Sequence, residues 1–191
     1  MAAPLVPTNA GIFPAMPPGF ALRRLGPEDA RDYRGLRLEG LERHPEAFGA
    51  AFEDEVLEPL QHFAERLALN ATFGASRLDG MLIGAASLVV PGAIKLRHKG
   101  ILSGVFVRPE GRGTGLAPAL IAKVLDHAFG VVEEVTLTVG AENAMAARLY
   151  SRFGFVDYGL DRRSLRVGDR YYDERLMVLD LRSRTNSSPE V

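Results

Sequence analysis

The sequence predicts a mixed-sheet α/β domain, and three features of the chain carry this prediction. Apolar periodicities follow the order β-α-α-β-β-β-α-β-α-β-β along the chain. The strand–helix–strand unit across residues 101–139 requires a right-handed crossover, so at least one strand pair is parallel. Turn signals at Asp79-Gly80 and Gly168-Asp169 close two hairpins, whose strands are antiparallel. We therefore expect one mixed sheet with helices flanking it.

The chain has 191 residues, which suits one domain with tails and a substantial core. Prolines without any periodicity mark residues 1–19 as an irregular Pro-rich arm. Residues 183–191 are polar and are predicted to be a tail. Residues 20–182 are therefore assigned to a single domain.

Composition excludes several classes of protein. The net charge of −1 argues against a general nucleic-acid binder. The absence of cysteine excludes disulfides, thiolate metal ligands and a cysteine nucleophile. The longest apolar stretch, residues 80–93, is too short to span a bilayer, and no Lys or Arg precedes Arg23 as a signal peptide requires. We expect a cytoplasmic protein with no membrane or nucleic-acid partner.

The first third of the domain is predicted to be one strand followed by two helices. Residues 21–25 form the strand, and residues 26–29 (Gly-Pro-Glu-Asp) start a helix that ends before Pro45, because proline and acids suit a helix N-terminus. Residues 56–69 repeat the helical spacing. The inner stripes of the two helices comprise Ala30, Tyr33, Leu36 and Leu41, and then Leu57, Leu60, Phe63, Ala64 and Leu67.

The remainder of the chain alternates strands and helices. A hairpin, two strand–helix pairs and a closing hairpin follow in that order. The predicted bounds are 71–78 and 81–90 for the first hairpin, 99–107 and 115–129 for the first strand and helix, 135–139 and 144–153 for the second, and 155–167 and 170–181 for the closing hairpin.

A glycine-rich turn joins the strand that ends at Val107 to the helix that follows. It contains Gly111, Gly113 and Gly115 and one permanent cation, Arg112. The first N–H groups of a helix lack partners within the helix, its dipole favours an anion, and glycine lets a phosphate come close. The turn therefore predicts a phosphate-binding site.

Residues 143–155 carry a second motif, Asn-Ala-Met-Ala-Ala-Arg-Leu-Tyr-Ser-Arg-Phe-Gly-Phe. Asn143, Ala146 and Tyr150 lie three to four residues apart and share one face of a helix. Asn143 is also a favourable N-cap. An amide at the helix start and a phenol one to two turns later are therefore expected beside the strand at 135–139.

With both motifs in order, the chain resembles the GNAT superfamily of N-acetyltransferases. The glycine turn is similar to the family's cofactor signature, Arg/Gln-x-x-Gly-x-Gly/Ala, and residues 143–155 match its Asn-x-x-Ala-x-x-Leu-Tyr-x-x-x-Gly-Phe helix. The resemblance covers residues 20–181 and implies a mostly antiparallel mixed sheet in which two parallel strands splay apart around acetyl-CoA. Glu110 stands where the signature begins, which departs from the family pattern.

The resemblance implies cofactor-binding roles by matching position, with acetyl-CoA as the co-substrate. Backbone groups of the strand would bind the pantetheine arm, amides of the turn would hold the pyrophosphate, and two residues of the second motif would line the pantetheine side. In that order these residues are Val105, Phe106 and Val107; Arg112, Gly113, Thr114, Gly115, Leu116 and Ala117; and Asn143 and Ala146.

Amide formation from a thioester sets three chemical requirements. The amine must lose its proton, the tetrahedral oxyanion needs hydrogen-bond donors, and the departing thiolate needs a proton. Tyr150 is the candidate general acid, because a phenol pKa near ~10 suits a thiolate of similar basicity. The alternative is a tyrosine that only packs against the sheet. No general base is identified, since the strand before the second motif offers only the hydroxyls of Thr136 and Thr138.

Two interpretations stay open for the segment between the first two helices, which the resemblance places on the acceptor side. Its acids either form a wall that attracts a cationic amine or simply suit the positive end of the second helix. Phe48 and Phe52 either line the acceptor pocket or pack in the core. The acids are Glu46, Glu53, Asp54, Glu55 and Glu58.

The four histidines, His44, His62, His98 and His127, form no recognisable metal motif, so we expect no metal. His98 is interpreted as an exposed strand end, and His127 suits the dipole at the end of its helix.

The favoured function is transfer of acetyl from acetyl-CoA to a primary amine of a small molecule, directly in a ternary complex. Two alternatives stay open. One is acetylation of protein N-termini or lysines, where N-terminal enzymes of the family often carry a strand glutamate that this chain lacks. The other is a non-catalytic acyl-CoA-binding module. A nucleotide phosphotransferase is disfavoured because the turn lacks the Lys-Ser/Thr pair that holds phosphates and a metal. The closing hairpin is also a candidate homodimer interface, as the resemblance implies.

Overall fold

The computed structural model describes residues 16–182. Most of the predicted Pro-rich arm (residues 1–19) and all of the predicted tail (183–191) lie outside the described residues. The strands are β1 (Phe20–Arg24), β2 (Ala71–Arg77), β3 (Leu82–Val89), β4 (Lys99–Val107), β5 (Glu134–Gly140), β6 (Val156–Val167) and β7 (Arg170–Asp180). The α-helices are α1 (Ala30–Arg43), α2 (Phe52–Glu55), α3 (Leu60–Leu69), α4 (Leu116–Ala128) and α5 (Ala144–Arg152).

Seven strands form one sheet in the order β1-β2-β3-β4-β5-β7-β6. Every neighbouring pair is antiparallel except β4 and β5. α4 connects these two strands and gives the parallel pair the long crossover it requires. The sheet is therefore mixed and mostly antiparallel, which confirms the prediction.

The parallel strands β4 and β5 pair only at their N-terminal ends. The last paired residues are Ile101 and Thr136, although the strands run on to Val107 and Gly140. The C-terminal halves of β4 and β5 therefore diverge and leave a wedge between them. This wedge is the splay that the family resemblance implies.

A bulge in β4 lies where the wedge begins. Between Ser103 and Phe106, β4 advances by three residues while β3 advances by two. Gly104 accommodates the extra residue with a φ of +63°, a left-handed conformation that glycine adopts without strain. The extra residue reverses the alternation of side chains, so Leu102 and Phe106 belong to cores on opposite faces of the sheet.

Helices cover both faces of the sheet and create two hydrophobic cores. On one face, α4 and α5 pack through side chains such as Leu120, Val124 and Ala147, all of them buried. On the other face, α1 and α3 pack through Leu36 and Phe63. The predicted inner stripe of α1 is confirmed, because Ala30, Tyr33, Leu36 and Leu41 are all buried.

The helix predicted over residues 56–69 is wrong in its first part. The short helix α2 ends at Glu55, before this range, and α3 begins only at Leu60. Pro59 is the N-cap of α3 with an extended backbone, and a helix does not continue through the residue before a proline. Phe63 and Leu67 are buried and Ala64 is partly buried, as predicted, whereas Leu57 and Leu60 are exposed.

Replacing Gly104 by alanine should strain the bulge without filling occupied space. A Cβ at this position would meet nothing closer than Ser87 Oγ at 4.0 Å. The expected loss in the free energy of unfolding is therefore the backbone strain of a left-handed residue, about 1–2 kcal/mol, measured by urea denaturation. Ser103→Ala, the preceding residue, is the control and should change this free energy by less than ~0.5 kcal/mol. An unchanged stability of G104A would contradict the left-handed bulge.

Candidate active site

The wedge between β4 and β5 presents backbone groups of β4 that have no strand partner. The Arg108 N–H donates to the Ile83 carbonyl of β3 at 2.8 Å. Because backbone groups alternate along a strand, Val107 and Val105 direct theirs into the wedge, whereas those of Phe106 face β3. Of the three residues predicted to bind pantetheine, Val105 and Val107 thus offer backbone groups, and Phe106 faces the acceptor side with its ring.

The turn after β4 carries a row of backbone N–H groups with no acceptor among the described residues. Gly113 and Gly115 have φ values of +75° and +94°, and Gly115 is the N-cap of α4. The Arg112 N–H donates to the Pro109 carbonyl at 3.1 Å, so the predicted row begins one residue later. The free donors belong to Gly113, Thr114, Gly115, Leu116 and Ala117. They stand at the positive end of the helix dipole, where an anion is favoured.

The start of α4 locates the cofactor signature. The helix begins at Leu116 with Gly115 as its N-cap. The signature therefore aligns as Arg112-x-x-Gly115-x-Ala117, because this alignment places its two small residues, Gly115 and Ala117, at the start of the helix. Glu110 lies before it, in a single turn of 3-10 helix. The signature therefore begins at Arg112 rather than Glu110, and the departure from the family pattern disappears.

Arg112 is held beside the turn by two contacts. Its Nε donates to the Val107 carbonyl at 3.1 Å, and its Nη2 lies 3.0 Å from His44 Nε2. A guanidinium can only donate, so His44 Nε2 is the acceptor and its Nδ1 carries the hydrogen. Arg112 thereby links the end of β4 to the end of α1. No sequence signal marks His44, because it belongs to no motif and lies 68 residues from Arg112.

Asn143 caps α5, as the sequence predicts. Its Oδ1 accepts the Ala146 N–H at 3.1 Å, and the side chain is exposed. The cap uses only the carbonyl oxygen, so the two amide hydrogens remain as donors for another partner. Ala146 is half-buried against the core on the α4 side, and its part in the site is its backbone and packing.

Tyr150 lies on the buried face of α5 and is 9% exposed. Its ring packs edge-on against Phe155 with centroids 5.9 Å apart. Burial raises the pKa of Tyr150 to about 12, so the phenol stays protonated at any physiological pH. The hydroxyl has no hydrogen-bond partner among residues 16–182. Every side-chain oxygen in this range that is fully enclosed by protein does have a partner. The hydroxyl therefore reaches solvent-accessible space, and the residue is both packed and available as a proton donor.

The segment between α1 and α2, which the resemblance places on the acceptor side, runs from the end of α1 towards β5 and β6. After His44, which contacts the end of β4, the turn Pro45–Ala47 lies against β5 and β6. Phe48 then packs in the α1-side core, with the Arg37 guanidinium 4.9 Å from its ring centroid. Phe52 is half-buried at the start of α2. The core interpretation therefore fits Phe48.

Glu55 belongs to a buried ion triad and not to an open acidic wall. Arg37 Nη2 and Arg66 Nη1 donate to its Oε1 at 2.8 and 2.9 Å. Burial raises the pKa of Glu55, but the hydrogen bonds and charges of the two arginines outweigh that effect and lower it below its usual range. The triad fastens α2 to α1 and α3. Of the other predicted acids, Glu53 and Asp54 are exposed on α2, whereas Glu46 and Glu58 lie 3.5 Å from His44 and His62.

Two histidines singled out in the sequence have structural surroundings. His98 is exposed immediately before β4, and its carbonyl accepts the Glu133 N–H at 2.7 Å. His127 lies edge-on to Phe73 at 5.7 Å, and its burial, reinforced by the charge of Arg24, lowers its pKa. Within residues 16–182, no group of three or more His, Asp or Glu side chains could hold a metal ion. None of the helices in that range has the length and hydropathy needed to cross a membrane.

A family model describing the acetyltransferase (GNAT) family matches residues 34–155, well over half of the chain. Among the curated proteins that align with this chain are two acetyltransferases. A spermidine N(1)-acetyltransferase of Vibrio cholerae is 31% identical over 100 residues, which cover 51% of this chain and 56% of the relative. A mycothiol acetyltransferase of Clavibacter michiganensis is 34% identical over 150 residues, which cover 76% of this chain and 45% of the relative. The chain thus spans about half the length of the curated relatives it matches.

Solved structures of other proteins share the fold, and two of them serve as examples. An acetyltransferase of the GNAT family from Streptococcus pneumoniae superposes with a TM-score of 0.75 at 23% identity, covering 84% of this chain and 99% of that one. The structure of yncA from Salmonella typhimurium with its cofactor acetyl-CoA has a TM-score of 0.72 at 19% identity, covering 90% and 98%. Likeness at this level of identity establishes the architecture described above.

Glu55→Gln should lower the free energy of unfolding by about 2–3 kcal/mol, because two guanidinium groups lose their carboxylate in a mostly buried site. The lowered pKa of Glu55 also gives this contribution a pH dependence: it is present above the usual carboxyl range and is lost as pH falls through the folded-state pKa. Urea denaturation over an acidic pH series should therefore show a shallower loss of stability for E55Q than for the wild type.

Glu53→Gln is the matched control for the triad, because Glu53 is exposed on the same short helix. It should change the free energy of unfolding by less than ~0.5 kcal/mol. Equal stability of E55Q and E53Q would show that the triad does not hold α2 in place.

Proposed function

We propose that this chain, which belongs to the GNAT family of acetyltransferases, transfers acetyl from acetyl-CoA to a primary amine of a small molecule, directly in a ternary complex. The observation that carries the proposal is the wedge between β4 and β5, with free backbone donors on the turn that leads from β4 into α4. The similarity to a spermidine N(1)-acetyltransferase supports an amine acceptor. The structural neighbour solved with acetyl-CoA supports the donor.

The cofactor would lie along β4 and end at the start of α4. The free N–H groups from Gly113 to Ala117 would bind the pyrophosphate, with the helix dipole adding to the attraction. Backbone groups of Val105 and Val107 would bind the pantetheine amides in place of the missing strand partner. Asn143 would contribute its two amide hydrogens from the other wall of the wedge.

The transfer step would use the backbone of β4 and the phenol of Tyr150. A backbone N–H that faces the wedge would stabilise the tetrahedral oxyanion, a contribution typically worth ~2.7–4 kcal/mol. Tyr150 would donate its proton to the thiolate of CoA as the carbon–sulfur bond breaks. Because burial raises the pKa of Tyr150 to about 12, the phenol would enter the reaction protonated.

Binding of acetyl-CoA is the first test, measured as a thermal melt with and without the cofactor and with adenosine diphosphate as the control. A ligand at about 100 times its dissociation constant that binds only the folded state adds ~2.7 kcal/mol. For a chain of this size the melting temperature should rise by roughly 5–10 °C. The absence of any shift at millimolar acetyl-CoA would overturn the proposed function.

Tyr150→Phe should lower kcat about 10²–10⁴-fold, the usual contribution of a positioned general acid, while the melting-temperature shift with acetyl-CoA is retained. The measurement is release of free CoA in the presence of a panel of primary amines and N-terminal peptides. Tyr158→Phe is the control, because Tyr158 is 58% exposed on β6, and it should keep wild-type activity. A fully active Y150F would leave Tyr150 a packing residue, and a wild type that binds acetyl-CoA but acetylates nothing would be a binding module.

A further inference from the structure

The acceptor-side face of β5 and β7 has an unusual composition. In the register of the two strands, Thr136, Thr138 and Gly140 lie opposite Val178, Leu176 and Glu174, and residues opposite each other share a face of the sheet. The alternate residues of β5 and β7, such as Leu137 and Met177, are buried beneath α4 and α5. The first set therefore lies on the face turned away from α4 and α5. This face carries three carboxylates: Glu134 and Asp180 at one end of the two strands and Glu174 at the other, where β5 ends.

Glu174 is buried without a cation. The residue is 7% exposed. Ser164 Oγ donates to its Oε2 at 2.6 Å. No Lys, Arg or His among residues 16–182 lies within ion-pair distance of Glu174. Glu55, the other carboxylate buried to this extent, holds two arginines.

Of the five arginines on the closing hairpin, Arg162 is exposed and the other four contact groups other than Glu174. Arg163 and Arg166 lie over the Tyr171 ring at 3.9 and 5.6 Å. Arg170 pairs with Glu142 at 2.9 Å, and Arg175 pairs with Asp157. The protein thus leaves the charge of Glu174 uncompensated although cations are close in sequence.

A second carboxylate lies next to Glu174 on the same face. Asp161 of β6 is directly opposite Glu174 in the register of β6 and β7, and like charges in that relation are destabilising. The β6 strand bulges immediately after Asp161, and Arg163 in the bulge has a φ of +56°, an uncommon value for a residue other than glycine. This bulge is what brings Ser164 to Glu174. The closeness of Asp161 and Glu174 therefore destabilises the fold unless a cation binds to them from the solvent.

The carboxylate of Glu174 has a route to the wedge. Its neighbour across the strand pair is Gly140, the last residue of β5, so no side chain stands between Glu174 and the open edge of that strand. The Oε1 atom makes no hydrogen bond among the described residues. Every side-chain oxygen there that is fully enclosed by protein does make one. Oε1 is therefore reached by solvent. Above it, the turn Pro45–Ala47 lies against β5 and β6 and narrows the approach.

We propose that Glu174 binds the ammonium group of the acceptor and takes its proton, and that Asp161 and Ser164 support it in this role. The inference rests on the proposed acetyl transfer and supplies the base that the strand before α5 lacks. It also specifies the acceptor class: a primary alkylamine that arrives as a cation.

The protons of the reaction balance with this assignment. A primary ammonium carries three, and the amide product retains one. Glu174 takes the first before the nitrogen attacks the thioester carbonyl, and releases it to water afterwards. The second leaves the nitrogen as the tetrahedral species collapses, and it matches the proton that Tyr150 gives to the thiolate when the carbon–sulfur bond breaks.

Glu174→Gln separates this role from a purely structural one. Glutamine keeps the shape, and its carbonyl oxygen can still accept the hydroxyl of Ser164. If the carboxylate serves the substrate, E174Q should retain or exceed the wild-type melting temperature, because an uncompensated buried charge opposes folding. Its kcat/KM for the amine should fall about 10²-fold or more, while the acetyl-CoA shift stays unchanged.

The assay uses the amine that the wild type acetylates best among spermidine, ethanolamine and tryptamine, with CoA release as the readout. Ser164→Ala removes the hydrogen bond but keeps the carboxylate, so its kcat/KM should fall by no more than about tenfold, the effect of one ordinary hydrogen bond. Glu65→Gln is the control, because Glu65 is exposed on α3, and it should keep the wild-type kcat/KM. E174Q with activity within threefold of the wild type would overturn the assignment, as would a marked fall in its melting temperature together with a parallel fall in S164A. A wild type that shows no acetyl-CoA shift instead sinks the proposed function itself.

Discussion

The early end of pairing between β4 and β5 is the constraint on which the site depends. Two strands that stayed paired would satisfy each other's backbone groups and leave nothing for a ligand. Here pairing stops at Ile101 and Thr136, and the bulge at Gly104 turns the rest of β4 by one residue. That turn sends the ring of Phe106 to the acceptor face and the backbone groups of Val105 and Val107 into the wedge. A single left-handed glycine thus decides which groups meet the cofactor and which meet the acceptor.

A wedge in a sheet is stable only if its two walls are held apart by other contacts. Arg112 joins the end of β4 to His44 at the end of α1, and Arg108 adds a second link there through Glu39 at 2.7 Å. The triad around Glu55 fixes α2, so the segment that leaves α1 can cross to β5 and β6. Apart from the bond of Arg112 to the Val107 carbonyl, these links lie outside the wedge. The backbone donors inside it therefore remain unoccupied, although polar side chains are close by.

Local patterns predict the elements well because each is encoded by short-range physics. Gly115 and Asn143 mark helix starts through backbone conformation and capping, and the hairpin turns are set by their glycines. The prediction of one helix over residues 56–69 is wrong in its first part because the apolar spacing continues through Pro59, although a proline there prevents the helix from starting earlier. Contacts between distant segments leave no such pattern. The pair of Arg112 with His44 is one case. The burial of Glu174 is another, because in the sequence this residue is only one acid in the alternating pattern of a strand.

The acidic residues of this protein show why burial and compensation matter more than clustering. Read along the chain, the acids from Glu46 to Glu58 look like the place where a cation would bind. In the fold, Glu55 is neutralised by two arginines, and its neighbours Glu53 and Asp54 face water, where a charge is screened within about 10 Å. An attractive site for an ammonium group needs a carboxylate that is mostly buried, with one oxygen still within reach, and that is not neutralised by a fixed cation. Among the described residues Glu174 meets both conditions, and it does so on the face of the sheet where an acceptor can approach the wedge.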